Sequence, residues 1–279
     1  MRSAANESTP VGGGSGRSTK LDGIAEHLFR HGTFDAAIWD SIEYEYPTLP
    51  ESVEPDDVVV DVGCHTGAFC DLAARRGATV VGYEANRENY ALAAINLRDR
   101  TSVTLHHTAV WRSDLTGPTR LVFTPHADTG NTGGGSVLFT TAEDHWAARP
   151  SEGERPAPPD MALSTHEVDA VPLDDILDDL GSVRYLKLDV EGAEFPILLT
   201  ATELDRVTTV AGEYHELTDA GMAALSPGAR VGNERYSADL LRRCLLDAGF
   251  EDVMVLSGPA GRGFFSAERL TGSRSAGRR

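Results

Sequence analysis

Within "RYLKLDVEGAEF", residues 184–195, three acids arrive in six positions, Asp189, Glu191 and Glu194, directly after a run that alternates like a buried strand. A carboxylate at the end of a strand can take a proton from a hydroxyl, accept a hydrogen bond from it, or help hold a cation. Asp189 is placed for any of these. Glu194 begins the following helix, where an acid complements the helix dipole, and Glu191, between the two, is a candidate substrate contact. A second group, "AGEYHE" at 211–216, ends another strand. Alternation puts Glu213 and His215 on one face and Tyr214 on the other, so the carboxylate can orient the imidazole and raise its basicity; the plain alternative is a solvated strand end. Asp189, Glu213 and His215 are the candidate catalytic set. Asp189 with Glu213 can also hold Mg²⁺, which prefers oxygen ligands, although the sequence has no compact metal motif.

A different chemistry is suggested by "VVVDVGCHTGAF", residues 58–69, where Asp61 on a strand precedes Gly63 and Gly67 in a turn that opens a helix. The spacing is GxxxG rather than the GxGxxG that seats a pyrophosphate on a helix N-terminus, and Asp61 would repel a phosphate there. An acid at this place suits an ammonium or a sulfonium. The next strand, in "VVGYEAN", ends on Glu84, whose carboxylate can accept both hydroxyls of a ribose. A nucleoside carrying an amino-acid tail satisfies both features, which describes S-adenosylmethionine. The expected cofactor contacts are Asp61, Gly63, His65, Gly67, Glu84, Ala109 and Asp189. Ala109, with Thr108 and Val110, would flank the adenine or simply end a strand; His65 would touch the cofactor carboxylate or stand exposed in its loop. "NTGGGSVLF" can bring Asn131 and Ser136 over the substrate with glycines as hinges, or form a hairpin turn. Lys187, in mid-strand, is expected to pair with an acid or snorkel to the surface.

These groups need a frame. From Val58 the chain alternates strand and helix: "VVVDVG", "GAFCDLAARRG", "ATVVGYE", "NRENYALAAINLR" and "SVTLHHTAV" read as βαβαβ, which implies parallel strands with helices on both faces. "VRYLKLDVEG", "VTTVAGEYHE", "EDVMVLSG" and "GRGFFSAERL" add strands, and "SADLLRRCLLDAGF" a helix. The fold expected is α/β, a doubly wound sheet. "LDGIAEHLF" and "FDAAIWDSIEY", within 21–50, read as N-terminal helices ended by Pro47 and Pro50. Residues 1–20 and 272–279 read as flexible tails around a catalytic domain over 51–271. A Gly- and Pro-rich insertion at about 125–166 interrupts the rhythm, as a substrate lid in its first half and a mobile excursion around "PSEGERPAPPD" in its second.

"VVDVGCHTGAFCDLAARRGATVVGYEANRENYALAAINL", "NTGGGS" and "LKLDVEGAEFPIL" together resemble the FkbM family of S-adenosylmethionine-dependent methyltransferases, over roughly residues 56–217. The resemblance implies a class I, Rossmann-like methyltransferase fold and O-methylation of sugars, polyketides or related secondary metabolites. Here Cys64 and His65 replace the Ala and Asn usual in the family's glycine loop, and "EAN" stands where E-P-N is common. The competing functions are a nicotinamide-dependent dehydrogenase on a similar sheet, against which GxxxG with Asp61 speaks, and a noncatalytic cofactor-binding module. A net charge of −18 repels phosphate backbones, so the expected partner is a small-molecule acceptor and not nucleic acid. No apolar run approaches the roughly 20 residues needed to cross a bilayer, and the N-terminal stretch has no secretory apolar core. A cytoplasmic protein with no membrane partner is expected, its three cysteines reduced.

Overall fold

A computed structural model describes residues 27–47, 49–117, 119–126, 128, 130–148 and 165–270. The expected tails at 1–20 and 272–279 and the excursion around "PSEGERPAPPD" lie outside these residues, as do residues 21–26 of the first expected helix. The part of it that is described, 27–29, is not helical. Helix α1 (Asp35–Glu45) follows, then the short α2 (Leu49–Ser52). Pro50, expected as a breaker, sits in the first turn of α2, where its missing N–H would have had no helical partner in any case.

The frame of the site is β1 (Val58–Val62), α3 (Ala68–Arg75), β2 (Thr79–Tyr83), α4 (Arg87–Asn96) and β3 (Val103–His106), the alternation read from the sequence. Then come β4 (Ala109–Trp111), β5 (Thr119–Phe123), α5 (Ala142–Ala147), β6 (His166–Pro172), α6 (Leu173–Leu180), β7 (Val183–Leu188), α7 (Glu194–Leu198), β8 (Val207–His215), α8 (Asp219–Ala224), α9 (Ala238–Asp247), β9 (Asp252–Ser257) and β10 (Arg262–Glu268). The main sheet has the order β3-β2-β1-β7-β8-β10-β9. β1, β2, β3, β7 and β8 run parallel, and β10 is antiparallel to both β8 and β9. Two hydrophobic clusters cover its two faces, one with Trp39, Phe69 and Tyr185, the other with Leu186, Phe195 and Leu241. The doubly wound α/β sheet is therefore present. Its strand order reverses between β1 and β7, the place where such a sheet leaves a crevice at the carboxyl ends of its strands.

"SVTLHHTAV" is not one strand. β3 ends at His106, and the chain leaves the main sheet to form β4, which pairs parallel with β6 in a small second sheet of order β4-β6-β5. The two halves differ in burial: β3 alternates, whereas Ala109, Val110 and Trp111 are all buried. The β-branched and apolar residues on either side of His106 and His107 read as one strand and conceal that change of partner. The insertion is also more regular than expected on both flanks, since Thr124 and Ser136 bridge antiparallel and α5 and β6 follow. Among the described residues no helix is long and apolar enough to cross a membrane.

Candidate active site

A cavity of about 250 Å³ opens at the carboxyl ends of β1, β2, β7 and β8, roofed by Ile38 and Glu45 of α1 and by the 131–137 loop. Its first end is built by the β1–α3 turn. Gly63 has φ +79°, and a Cβ there would lie 2.0 Å from the carbonyl oxygen of Asp189, so only glycine lets β1 and β7 close together at this point. The Gly63 and Cys64 N–H groups both donate to the Tyr83 carbonyl, at 2.9 and 3.0 Å. At the end of β2, Glu84 is buried, and its two carboxylate oxygens accept from the backbone N–H groups of His65 and Asn86, each at 2.8 Å. Burial lifts its pKa to about 7 against the opposing pull of those two N–H groups.

Gly63, His65, Glu84, Ala109 and Asp189 all line the cavity. Asp61 and Gly67 do not. Asp61 is fully buried, 3.0 Å from the Lys187 ammonium and accepting from the Cys70 thiol at 3.2 Å, so its expected cationic partner is a lysine of the neighbouring strand. Gly67, at φ +97°, caps α3, and a Cβ there would strike Leu97 of the α4 C-terminus at 2.6 Å, so packing alone requires a glycine here. His65 is not an exposed loop residue. Its Nε2 lies 2.9 Å from Thr132 Oγ1 and 3.5 Å from Asp35 Oδ1, and burial takes its pKa down to about 4, against the pull of Asp35. Asp35 in turn accepts from Arg30 and Thr132, which ties α1 and the glycine-rich loop to the β1–α3 turn. No sequence signal connects residues 35, 65 and 132.

At the second end, Asp189, Glu191 and Glu213 face the cavity. His215 Nε2 sits behind them, 3.1 Å from Glu191 Oε2 and 3.2 Å from Glu213 Oε1. Strand alternation placed Glu213 and His215 together as expected, but the imidazole is buried, does not line the cavity and contacts two carboxylates that do. Arg262 of β10, unanticipated from the sequence, reaches Glu213 Oε1 at 3.0 Å because the antiparallel register sets it opposite His215. Asp189 is pushed well above the usual carboxylate range, first by burial and then by Glu213 and Glu191, with Lys187 and His215 opposing.

The turn that presents Glu191 is unusual, since this residue takes φ +56°. Glu194 holds it by accepting from the N–H groups of Val190 and Gly192 at 2.7 and 2.8 Å, a local version of the helix-start role read from the sequence. Ser136 holds it from the other side by donating to the Glu191 carbonyl at 3.0 Å. Ser136, expected as a substrate contact, is buried and outside the cavity lining, and it braces this turn. Asn131 does line the cavity, with its Oδ1 accepting from Gly134 N–H at 3.0 Å. Among the described residues no group of three or more His, Cys, Asp or Glu side chains is disposed to hold a metal ion. Glu213, one half of the expected Mg²⁺ pair, is already engaged by His215 and Arg262, so the Mg²⁺ expectation gains no support.

The chain belongs to the family of the methyltransferase FkbM domain, which matches residues 61–251. It is similar in structure to EvdMO1, with a TM-score of 0.45 and 14% identity over 91% of this chain and 50% of that one. It is also similar to a precorrin-6y C5,15-methyltransferase from Geobacter metallireducens, at 0.41 and 11% over 81% and 88%. An rRNA methylase from Streptococcus thermophilus gives 0.40 and 12% over 82% and 96%. No curated protein matches the chain significantly in sequence.

Proposed function

We propose that the protein transfers a methyl group from S-adenosylmethionine to a hydroxyl oxygen of a small molecule, a sugar, polyketide or other natural product, with Asp189 as the general base. The observation that carries this reading is the trio of carboxylates, Asp189, Glu191 and Glu213, facing the cavity at the ends of β7 and β8. Family membership supports S-adenosylmethionine as the donor, and when bound it supplies a methyl already activated on a sulfonium. The chain must then align the acceptor and remove its proton. An aliphatic hydroxyl needs a base for this, and a carboxylate whose pKa is raised well above the usual range is, once ionised, a stronger base than an ordinary one. Asp189 would take the hydroxyl proton as the acceptor oxygen bonds the methyl carbon and the S–CH₃ bond breaks, its electron pair staying on the sulfur as a neutral thioether. Glu191 and Glu213, oriented by His215, would accept hydrogen bonds from the acceptor's other hydroxyls.

At the first end the residues fit the donor. Each oxygen of Glu84 takes one backbone N–H and keeps a lone pair for a ribose hydroxyl. Ala109 and Val110 offer an apolar wall for the adenine, and the facing acids complement a cationic donor. The net charge of −18 favours a small acceptor over RNA.

The test is transfer from ¹³C-methyl S-adenosylmethionine to a panel of hydroxylated sugars and macrolides, with the product examined by NMR. A methyl-ether resonance is expected. Label on nitrogen or carbon would overturn O-methylation, and cofactor binding without transfer to any acceptor would return the noncatalytic module.

A further inference from the structure

We propose that Lys187 is a positioning residue for methyl transfer: one buried ammonium ties the turn on the cofactor side of the cavity to the carboxylate of Asp189 on the acceptor side. The proposal rests on the reading of Asp189 as the base. Lys187 is the penultimate residue of β7 and is 3% exposed, a place where an apolar side chain would ordinarily be the cheaper choice. Its Nζ donates to the Gly63 carbonyl at 2.8 Å and lies 3.0 Å from Asp61 Oδ1 and 3.9 Å from Asp189 Oδ2. The three acceptors come from β1, from the turn after it and from the end of β7. The rings of Phe69 and Tyr46, with centroids 5.8 and 5.9 Å away, close the rest of the surroundings. Burial disfavours the ammonium, but Asp61 and Asp189 outweigh it and keep the lysine charged.

Two consequences follow for the site. Gly63, in the left-handed region, has the backbone freedom to turn its carbonyl away, and the bond from Lys187 removes that freedom beside the cofactor cavity. The second concerns charge. Asp189 is faced by Glu191 from its own turn, by Glu213 and His215 from β8, by Lys187 from β7 and, beyond Glu213, by Arg262 from β10; Asp61 and Tyr46 lie across the lysine. Against these acids and its own burial, Asp189 has Lys187 as its strongest influence toward the ionised form that a base requires.

The experiment compares Lys187→Met with the double variant Asp61→Asn/Lys187→Met. The single variant strands Asp61 as an uncompensated buried charge and is expected to lose much of its thermal stability. The double variant removes both charges and is expected to recover it. Two readouts then separate positioning from mere core packing. The Asp189 titration midpoint, followed by carboxyl ¹³C NMR and assigned with Asp189→Asn, should rise by about one pH unit or more in the double variant, because the nearer of the two removed charges is the cation. Affinity for S-adenosylhomocysteine should fall about tenfold with stability restored. An unmoved Asp189 midpoint in a stable double variant overturns the proposal whatever the affinity. Failure of the wild-type protein to bind S-adenosylhomocysteine would instead overturn the methyl-transfer reading, and the midpoint would still decide the role of Lys187.

Discussion

At the end of β2, Glu84 gives both of its oxygens to backbone N–H groups, those of His65 and Asn86. At the end of β8, Glu213 shares one oxygen between the side chains of His215 and Arg262. The first arrangement is held by main-chain groups, those of the β1–α3 turn and the start of α4. In the second, the charge of Asp189 depends on Lys187, Glu213, Glu191 and His215 around it, so an acceptor that enters among these groups changes its protonation as well as its contacts. A site of this kind can bind its cofactor on a preformed surface and adjust its proton-taking group to the acceptor. Damage at the two ends should accordingly be read out by different measurements.

The largest effect is expected at the acceptor end. Asp189→Asn should lower kcat by about 10²- to 10⁴-fold, while calorimetry shows nearly unchanged S-adenosylmethionine binding. Equal losses in both would break the division between the ends. Next comes Glu84→Ala, which should weaken S-adenosylmethionine by about 1.5–3 kcal/mol for each charged hydrogen bond removed. It should also lower the melting temperature, since the N–H groups of His65 and Asn86 lose their acceptor; unchanged affinity would remove Glu84 from the cofactor site. His215→Ala should act through Glu191 and Glu213, raising the acceptor KM by about tenfold with a smaller change in kcat. A loss confined to kcat would restore the imidazole as the base.

The smallest effect is in pH dependence. Glu84 and Glu194 both have folded-state pKa values raised from 4.5 to about 7, chiefly by burial. A carboxyl group raised in this way contributes stability that is fully present below about pH 4.5 and is lost as pH rises toward 7. Thermal denaturation should show that decline, and Glu194→Gln should flatten its share of it. Cofactor affinity should run the other way, rising a few-fold as pH climbs through 7 and Glu84 ionises to accept the ribose hydroxyls. If Glu84→Gln retains that rise, the titrating group lies elsewhere in the cavity.

Much of this was local enough to be legible in the chain. The apolar runs of β1, β2, β7 and β8, the glycine turn after β1, the acid ending β2 and the acids ending β7 and β8 depend on strand patterns and on turn chemistry within a dozen residues. Such patterns state which face and which end a residue occupies. They do not state which strand lies beside it. Asp61 and Lys187 meet because the parallel register of β1 and β7 sets them opposite one another, and that pairing turned an expected cofactor contact into a buried ion pair. Arg262 reaches Glu213 for the same reason, through the register of β10 on β8. Ser136 became a brace because the 131–137 loop folds against the turn at 190–192, and Gly67 became a packing residue because the C-terminal end of α4, at Leu97, lies over the start of α3. Each strand's own hydrophobic pattern thus determined where its functional groups would emerge. Which groups would face the cavity, and which would be held by a neighbour, was decided only when sheet pairing brought side chains more than a hundred residues apart to within 3 Å.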